Sequence, residues 1–193
     1  MASAAFAAEN SGPSAIEPPA PAASAADAMA QDDLATAIDA ARTKEAPDAP
    51  HLKIDPTLTE IARARAYAMA NGAPFAHEDR QGRQPAIDMV RAKFGQYGYI
   101  GENIFQQTRN IFHFSRASGD FDPEAFSKVA AQGWMRSEEH RANILSPDYT
   151  ESGIGVYTKG EQTYAAQIFW GPPPAPVRAR AKPPGPVQHW LGQ

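Results

Sequence analysis

WMRSEEHRANIL, the sequence from Trp134 to Leu145, places a tryptophan, a histidine that follows two glutamates, and an asparagine within a few turns of chain. A helix starting at Asp122-Pro123 is predicted to lead into it, and the apolar face of this helix recurs at i, i+4 and i+8: Phe126, Ala130 and Trp134. Ser137 is a typical helix N-cap, which predicts a second helix start just before His140. Alone, this pattern also fits an ordinary capped helix start.

Two other short stretches contain groups that can do chemistry. Phe75-Ala-His77-Glu-Asp79 follows a predicted helix end, and Gly101-Glu102-Asn103-Ile104 lies further along the chain. Taken alone, a histidine beside acids usually forms a surface ion pair, and a Gly-Glu-Asn turn usually holds only a structural carboxylate. The three stretches together, in this order, are stronger evidence for a functional site than any one of them alone.

Helical patterns fill the first half of the chain. The first is predicted to begin at Asp32 and Asp33, whose charges suit a helix N-terminus, with Asp39 and Arg42 paired at i, i+3. Its apolar stripe is Leu34, Ile38 and Ala41.

Two further helices precede the Gly-Glu-Asn stretch. One is predicted to begin at the N-cap Asp55, with proline at its first position, and to stop at Asn71-Gly72. The other begins at Pro85, ends at Gly95 and has three predicted core positions: Ile87, Val90 and Phe94.

A β-hairpin is predicted near the end of the chain. The runs Ser152–Tyr157 and Thr163–Trp170 are rich in Ile, Val, Tyr and Phe, and Gly160 lies between them. Because helices come first and the hairpin last, the pattern favours an α+β fold over a parallel doubly wound sheet.

The 193 residues, 42% of them apolar, suit one domain and a monomer. We place that domain at 32–170. Residues 1–31 are predicted to be a flexible Ala/Pro-rich leader, whose start MASAAFAAEN fits either the end of a signal peptide or a disordered segment. Residues 171–193 are predicted to be an extended Pro-rich tail with three cations: Arg178, Arg180 and Lys182.

Charge and composition exclude several classes of protein. The chain has 18 Lys and Arg against 22 Asp and Glu, a net charge of −4, which argues against a nucleic-acid partner. No apolar run approaches the ~18 residues of a transmembrane segment. The absence of cysteine excludes disulfides, thiolate metal sites and a cysteine nucleophile.

In combination, His77, Glu102, Trp134, His140 and the run Asn143-Ile-Leu145 resemble the CAP superfamily of cysteine-rich secretory proteins, antigen 5 and pathogenesis-related class 1 proteins. The disulfide-free bacterial SCP-like branch is the better match. The resemblance covers about Asp33 to Trp170. It implies an α-β-α sandwich with a central antiparallel sheet, a secreted or periplasmic location, and a cleft lined by two histidines and two acids.

Carried onto this chain, the resemblance assigns His77 and His140 to the histidine positions and Glu102 to the first acid. The second acid position is occupied by Ser137, with Glu138 or Glu139 as its substitute. Four further residues are expected to have structural roles: Trp134, Asn103, Asn143 and Gln167.

Two imidazoles beside a carboxylate can bind a divalent cation such as zinc or magnesium, with His77 and His140 as ligands and Glu102 as a ligand or an orienting partner. The leading hypothesis is a ligand-binding or scaffolding module, in whose scaffold form the three side chains hydrogen-bond one another. The alternative is a metal-assisted hydrolase of an envelope or extracellular substrate, with His77, Glu102 and His140 as catalytic candidates.

Two other reactions have weaker support. A glycosidase would need Glu102 and Glu139 as its carboxylate pair, and a Ser137–His140 nucleophile lacks an orienting acid. The ligand class stays open among a small molecule, a lipid, a polysaccharide and a protein. An insertion at 106–121 is predicted to border the cleft, where an apolar groove would favour a lipid: Phe105, Ile111, Phe112 and Phe114.

Overall fold

The computed structural model of the chain describes residues 19–108 and 121–173. Within them the chain forms helices α1 (Ala25–Glu45), α2 (Pro56–Ala70), α3 (Pro85–Phe94), α4 (Pro123–Arg136) and α5 (Glu138–Leu145). The strands are β1 (Lys53–Ile54), β2 (Tyr99–Thr108), β3 (Glu151–Lys159) and β4 (Gln162–Gly171). Among the described residues, no helix is long and apolar enough to cross a membrane.

The four strands form one sheet in the order β1-β3-β4-β2. Strands β3 and β4 pair as the predicted antiparallel hairpin, and β2 pairs antiparallel with β4 over its whole length. The two-residue strand β1 adds to β3 in parallel, and the sequence predicted neither β1 nor β2. The prediction of an α+β fold with a central antiparallel sheet is confirmed.

Helices cover both faces of the sheet and make the three layers of the sandwich. Helix α2 lies so close to β3 that a Cβ at Gly153 would come within 2.1 Å of the Thr59 nitrogen. On the opposite face, α1 and α4 pack on a second apolar cluster that includes Trp134, Phe126 and Phe169. Both clusters rest on β4, so the sheet lies between two hydrophobic cores.

Most predicted helix boundaries are confirmed, because their capping residues are present in the sequence. The Asp55 carboxylate accepts from the Leu58 N–H at 2.9 Å, and Asp122 caps α4 in the same way. In α3, Val90 is fully buried as predicted, whereas Ile87 and Phe94 are only partly buried.

Helix α1 differs from its prediction in two respects. It begins at Ala25, where Ser24 accepts from the Asp27 N–H, so the predicted start at Asp32 was wrong. The alanine-rich segment before Asp32 has high helix propensity and extends the helix by two turns. Arg42, which we expected to pair with Asp39, is 1% exposed and donates to the carbonyls of Pro50, Ile144 and Tyr149.

Several predictions concern residues outside the described ranges. The leader up to residue 18, the tail from residue 174 and the segment 109–120 lie there, the last with Ile111, Phe112 and Phe114 of the predicted apolar groove. The beginning of the predicted insertion, up to Thr108, extends β2. Phe105, the remaining member of the predicted groove, packs against Phe126 with ring centroids 5.9 Å apart.

Candidate functional site

Glu102 on β2 is at the centre of the site. Its side chain is 6% exposed, and both carboxylate oxygens are bonded. Oε1 accepts from Arg65 Nε at 2.8 Å, and Oε2 lies 2.8 Å from His77 Nδ1. The carboxylate therefore joins α2 to the loop that follows it.

Arg65 on α2 is a site residue that the sequence analysis missed. Its side chain is only 2% exposed, and besides Glu102 its guanidinium donates to the Ala76 carbonyl at 2.8 Å. Arg65 thus fixes both the carboxylate that bonds His77 and the backbone just before His77. A signal was present, since Arg65 falls at helical spacing on the apolar stripe of Leu58, Ala62 and Met69, where a charge requires a buried partner.

The loop after His77 is fixed by Asp79. Its carboxylate accepts from the backbone N–H groups of Gln81 and Arg83 at 2.8 and 3.0 Å and from Arg83 Nε at 2.7 Å. Although desolvation acts against them, these hydrogen bonds hold the pKa of Asp79 below its ordinary value. His77 is therefore held between two anchored segments.

His77 is shifted towards its protonated form. The hydrogen bond to the Glu102 carboxylate raises the pKa of His77 above its ordinary value of 6.5, outweighing partial burial and the positive charge of Arg65. Its side chain stays 48% exposed, so the ring is open to solvent or a ligand on one side. Because Nδ1 faces Glu102, Nε2 is the nitrogen available for a ligand.

His140 on α5 is shifted in the opposite direction. Its ring lies 6.5 Å from that of His77, centroid to centroid, with an interplanar angle of 61°. Burial lowers the pKa of His140, the positive charge of His77 lowers it further, and the Glu139 carboxylate opposes both. The pair therefore combines an imidazole that favours its proton with one that favours the neutral form.

Helix α5 is attached to β2 by amide side chains. Asn103 is fully buried and donates to the His140 carbonyl at 3.1 Å, while Asn143 donates to Asn103 Oδ1 at 2.9 Å and to the Glu102 carbonyl at 3.3 Å. Trp134 Nε1 donates to the Ile104 carbonyl at 2.9 Å. Because β2 is an edge strand, the contacts to the Glu102 and Ile104 carbonyls satisfy acceptors on its unpaired side.

The remaining predicted residues have different positions. Ser137 stands at the N-cap of α5, which confirms the predicted helix start, but its side chain makes no capping hydrogen bond. Glu138 and Glu139 are both exposed, and Glu139 is the acid whose charge acts on both histidines. Gln167 is buried on β4 opposite Asn103 and donates to Ser152 Oγ at 3.0 Å.

The described residues contain no group of three or more His, Cys, Asp or Glu side chains that could hold a metal ion. Glu102 is committed to Arg65 and His77, which leaves the two imidazoles as the available nitrogen donors.

An antiparallel sheet between helical layers, with two histidines and one acid at its edge, defines a member of the α-β-α sandwich class with a polar cleft. The profile of the cysteine-rich secretory protein family, CAP, matches residues 35–171, so the chain belongs to this family.

Individual relatives agree with this assignment. The chain is 35% identical over 109 residues to the protein YkwD of Bacillus subtilis (strain 168), a match that covers 56% of this chain and 36% of that protein. It therefore spans about a third of the relative's length.

Two solved structures show the same fold. An extracellular protein containing an SCP domain from Bacillus anthracis str. Ames matches with a TM-score of 0.56 and 21% identity, over 75% of this chain and 41% of that chain. An outer surface protein from Borrelia burgdorferi matches with a TM-score of 0.58 and 16% identity, over 74% and 92% of the two chains.

Proposed function

We propose that this chain is an extracytoplasmic binding module whose cleft holds a divalent cation between His77 and His140. The observation that carries the proposal is the Glu102–His77 hydrogen bond, which occupies Nδ1 and directs Nε2 away from the carboxylate. A carboxylate behind a histidine in this way orients the ring and makes it a better metal ligand. Burial lowers the pKa of His140 and so favours the neutral imidazole that metals require.

The donor set favours zinc over magnesium. Imidazole nitrogen suits zinc, whereas magnesium prefers oxygen ligands, and the buried carboxylate of Glu102 is already bonded on both oxygens. With about 2 Å for each zinc–nitrogen bond, rings whose centroids are 6.5 Å apart need only side-chain adjustment to share one ion. Two protein ligands make a weak site whose remaining positions are open to water or to a bound ligand.

The extracytoplasmic location is supported by the structural relatives. One is an extracellular protein and the other an outer surface protein. A chain without cysteine folds there independently of redox conditions.

A metal-assisted hydrolase of an envelope or extracellular substrate remains the alternative, and it would use the same cation to activate water. Glu139 is an exposed carboxylate whose negative charge acts on both histidine rings. It is therefore the candidate to accept a proton in that reaction. Because both functions require the cation, metal binding is the first property to test.

The test is a zinc titration by calorimetry near pH 7.5 on the full chain and on two variants. We expect micromolar binding in the parent, its loss in His140→Ala, and parent-like binding in His51→Ala, a histidine outside the cleft. Absence of zinc binding in the parent would overturn the cation proposal and leave the hydrogen-bonded scaffold. Retention of full affinity in His140→Ala would place the ion elsewhere.

A further inference from the structure

A second cavity, of about 500 Å³, lies between helix α1 and the edge of the sheet formed by β1 and β3. This volume is in the range of small-molecule sites. Its walls are largely apolar: Ala35, Ile38, Ala40, Leu52, Ile54 and Ile154. The residues of the His77–His140 cleft are not among those that line it, so this cavity is a separate feature of the molecule.

Two uncharged polar residues, Gln167 and Ser152, belong to the buried part of this cavity. Gln167 is 1% exposed, and its Nε2 donates to Ser152 Oγ at 3.0 Å. Its Oε1 has no hydrogen-bond partner among the residues that the structure describes. A buried acceptor without a partner is rare and destabilises the fold, and a ligand that donates a hydrogen bond to it would offset that cost.

The outer wall of the cavity is held in place from several directions. Arg42 donates to the Pro50 carbonyl at 2.8 Å from inside the protein, and His51 bonds Asp39 at 3.2 Å across the rim. The Lys53 and Asp55 N–H groups donate to the Thr150 and Ser152 carbonyls, each at 3.0 Å. Such a preformed wall lowers the ordering cost of binding.

Gln167 Oε1 is shielded from solvent in this structure, so a ligand would reach it only after residues at the rim of the cavity move. The side chain of His51 is 75% exposed and Ile54 is 52% exposed, so both can change rotamer on a fast timescale. Among the described residues that line the cavity, Asp39 and His51 are the only ionisable ones, and they lie at this rim and face each other.

We propose that this cavity binds a small uncharged molecule with an apolar body and one N–H or O–H group, which donates to Gln167 Oε1. The apolar walls take the body of the molecule and the unpaired oxygen selects its donor. An uncharged ligand is required because none of the described residues in the buried part of the cavity carries a charge that would neutralise one on the ligand.

The test compares indole with 1-methylindole, which has nearly the same apolar body but lacks the donor. Each is titrated into the ¹⁵N-labelled full chain and followed by NMR. We expect indole to shift resonances of Ile38, Ile154 and the Gln167 side chain, and to bind at least about tenfold more tightly than 1-methylindole. The absence of binding, or equal affinity for both probes, would show a cavity that holds solvent only and would overturn the proposal.

Variants locate the binding. Gln167→Leu should abolish the preference for indole, and Ala35→Leu, which fills part of the cavity from α1, should weaken both probes. Ala37→Leu, on the same helix but outside the lining, is the matched control and should leave binding unchanged. His77→Ala should also bind indole normally, so failure here is distinguishable from failure of the zinc site. A preference for indole that persists in both Gln167→Leu and Ala35→Leu would contradict the assignment.

Discussion

The cleft has two halves, each with one histidine held by different contacts. The charged half is His77 with Glu102 and Arg65, and the uncharged half is His140 with Asn103 and Asn143. On one side, His77 is bonded to a buried carboxylate that a buried arginine supports. On the other side, the backbone carbonyl of His140 accepts from the uncharged amide of Asn103. The His140 ring is close enough to His77 to feel its positive charge. The contrast shows that the surroundings, rather than the residue type, decide which imidazole favours a proton.

The largest effect on stability is expected from Arg65→Met, which removes the arginine of the charged half. It leaves Glu102 with one of its two partners and should destabilise the protein by about 3–5 kcal/mol in urea unfolding. The exposed Arg91→Met serves as control, with an effect within about 0.5 kcal/mol.

A double variant sharpens this experiment. Adding Glu102→Gln to Arg65→Met removes the uncompensated charge and should restore part of the lost stability. If Arg65→Met alone lowers the free energy of unfolding by less than about 1 kcal/mol, the Arg65–Glu102 pair contributes no more than an exposed ion pair does.

The uncharged half is expected to be less costly to break. Asn103→Ala removes the donor to the His140 carbonyl and the acceptor for Asn143, for about 1–3 kcal/mol. Amide hydrogen exchange should increase in α5 and stay unchanged in α2. Equal acceleration in both helices would show that Asn103 supports the whole domain instead of one side of the cleft.

Local patterns were sufficient for much of the fold. Asp55 with its following proline, and Asp122 with the next proline, mark helix starts because their side chains satisfy N–H groups within the same segment. The β3–β4 hairpin is local in the same way, because its two strands are neighbours in the sequence. The start of α1 was misplaced because two consecutive aspartates resemble a helix start even when they lie within a helix.

The site depends on distant contacts, and there the sequence was less informative. Arg65 and Glu102 are 37 positions apart, and only the packing of α2 on the sheet brings them together. Motif resemblance selected His77, Glu102 and His140 as candidates, and the structure brings their side chains together. The opposite pKa shifts of the histidines follow from burial and mutual charge, which have no local sequence pattern.

A smaller effect is expected from Glu102→Gln on zinc affinity. The amide keeps the shape of the carboxylate but polarises His77 less, so affinity at pH 7.5 should fall about tenfold. Glu138→Gln, an exposed change on α5, should leave zinc affinity unchanged. If both variants bind zinc as the parent does, Glu102 has no part in orienting His77 for a cation.

The smallest effect is on the pH dependence of stability, because solvent screens the partly exposed rings. The raised pKa of His77 stabilises the fold fully below about pH 6.5, and this contribution is lost as pH rises through the folded value. The lowered pKa of His140 costs nothing above about pH 6.5 and becomes a penalty as pH falls towards the folded value.

Stability should therefore pass through a maximum near pH 6.5 in urea unfolding between about pH 5 and 8.5. His77→Gln should flatten the alkaline side of the profile, and His140→Gln the acid side. If the two variants have pH profiles of the same shape, the two histidines do not contribute to stability in opposite pH ranges.

The most direct measurement is an NMR titration of the imidazole resonances of His77 and His140 in the metal-free full chain, assigned with the two glutamine variants. We expect His77 to titrate above and His140 below the ordinary value of 6.5. Glu102→Gln should lower the pKa of His77. Two histidines that titrate together near 6.5, or in the reverse order, would show that the fold does not shift their pKa values in opposite directions.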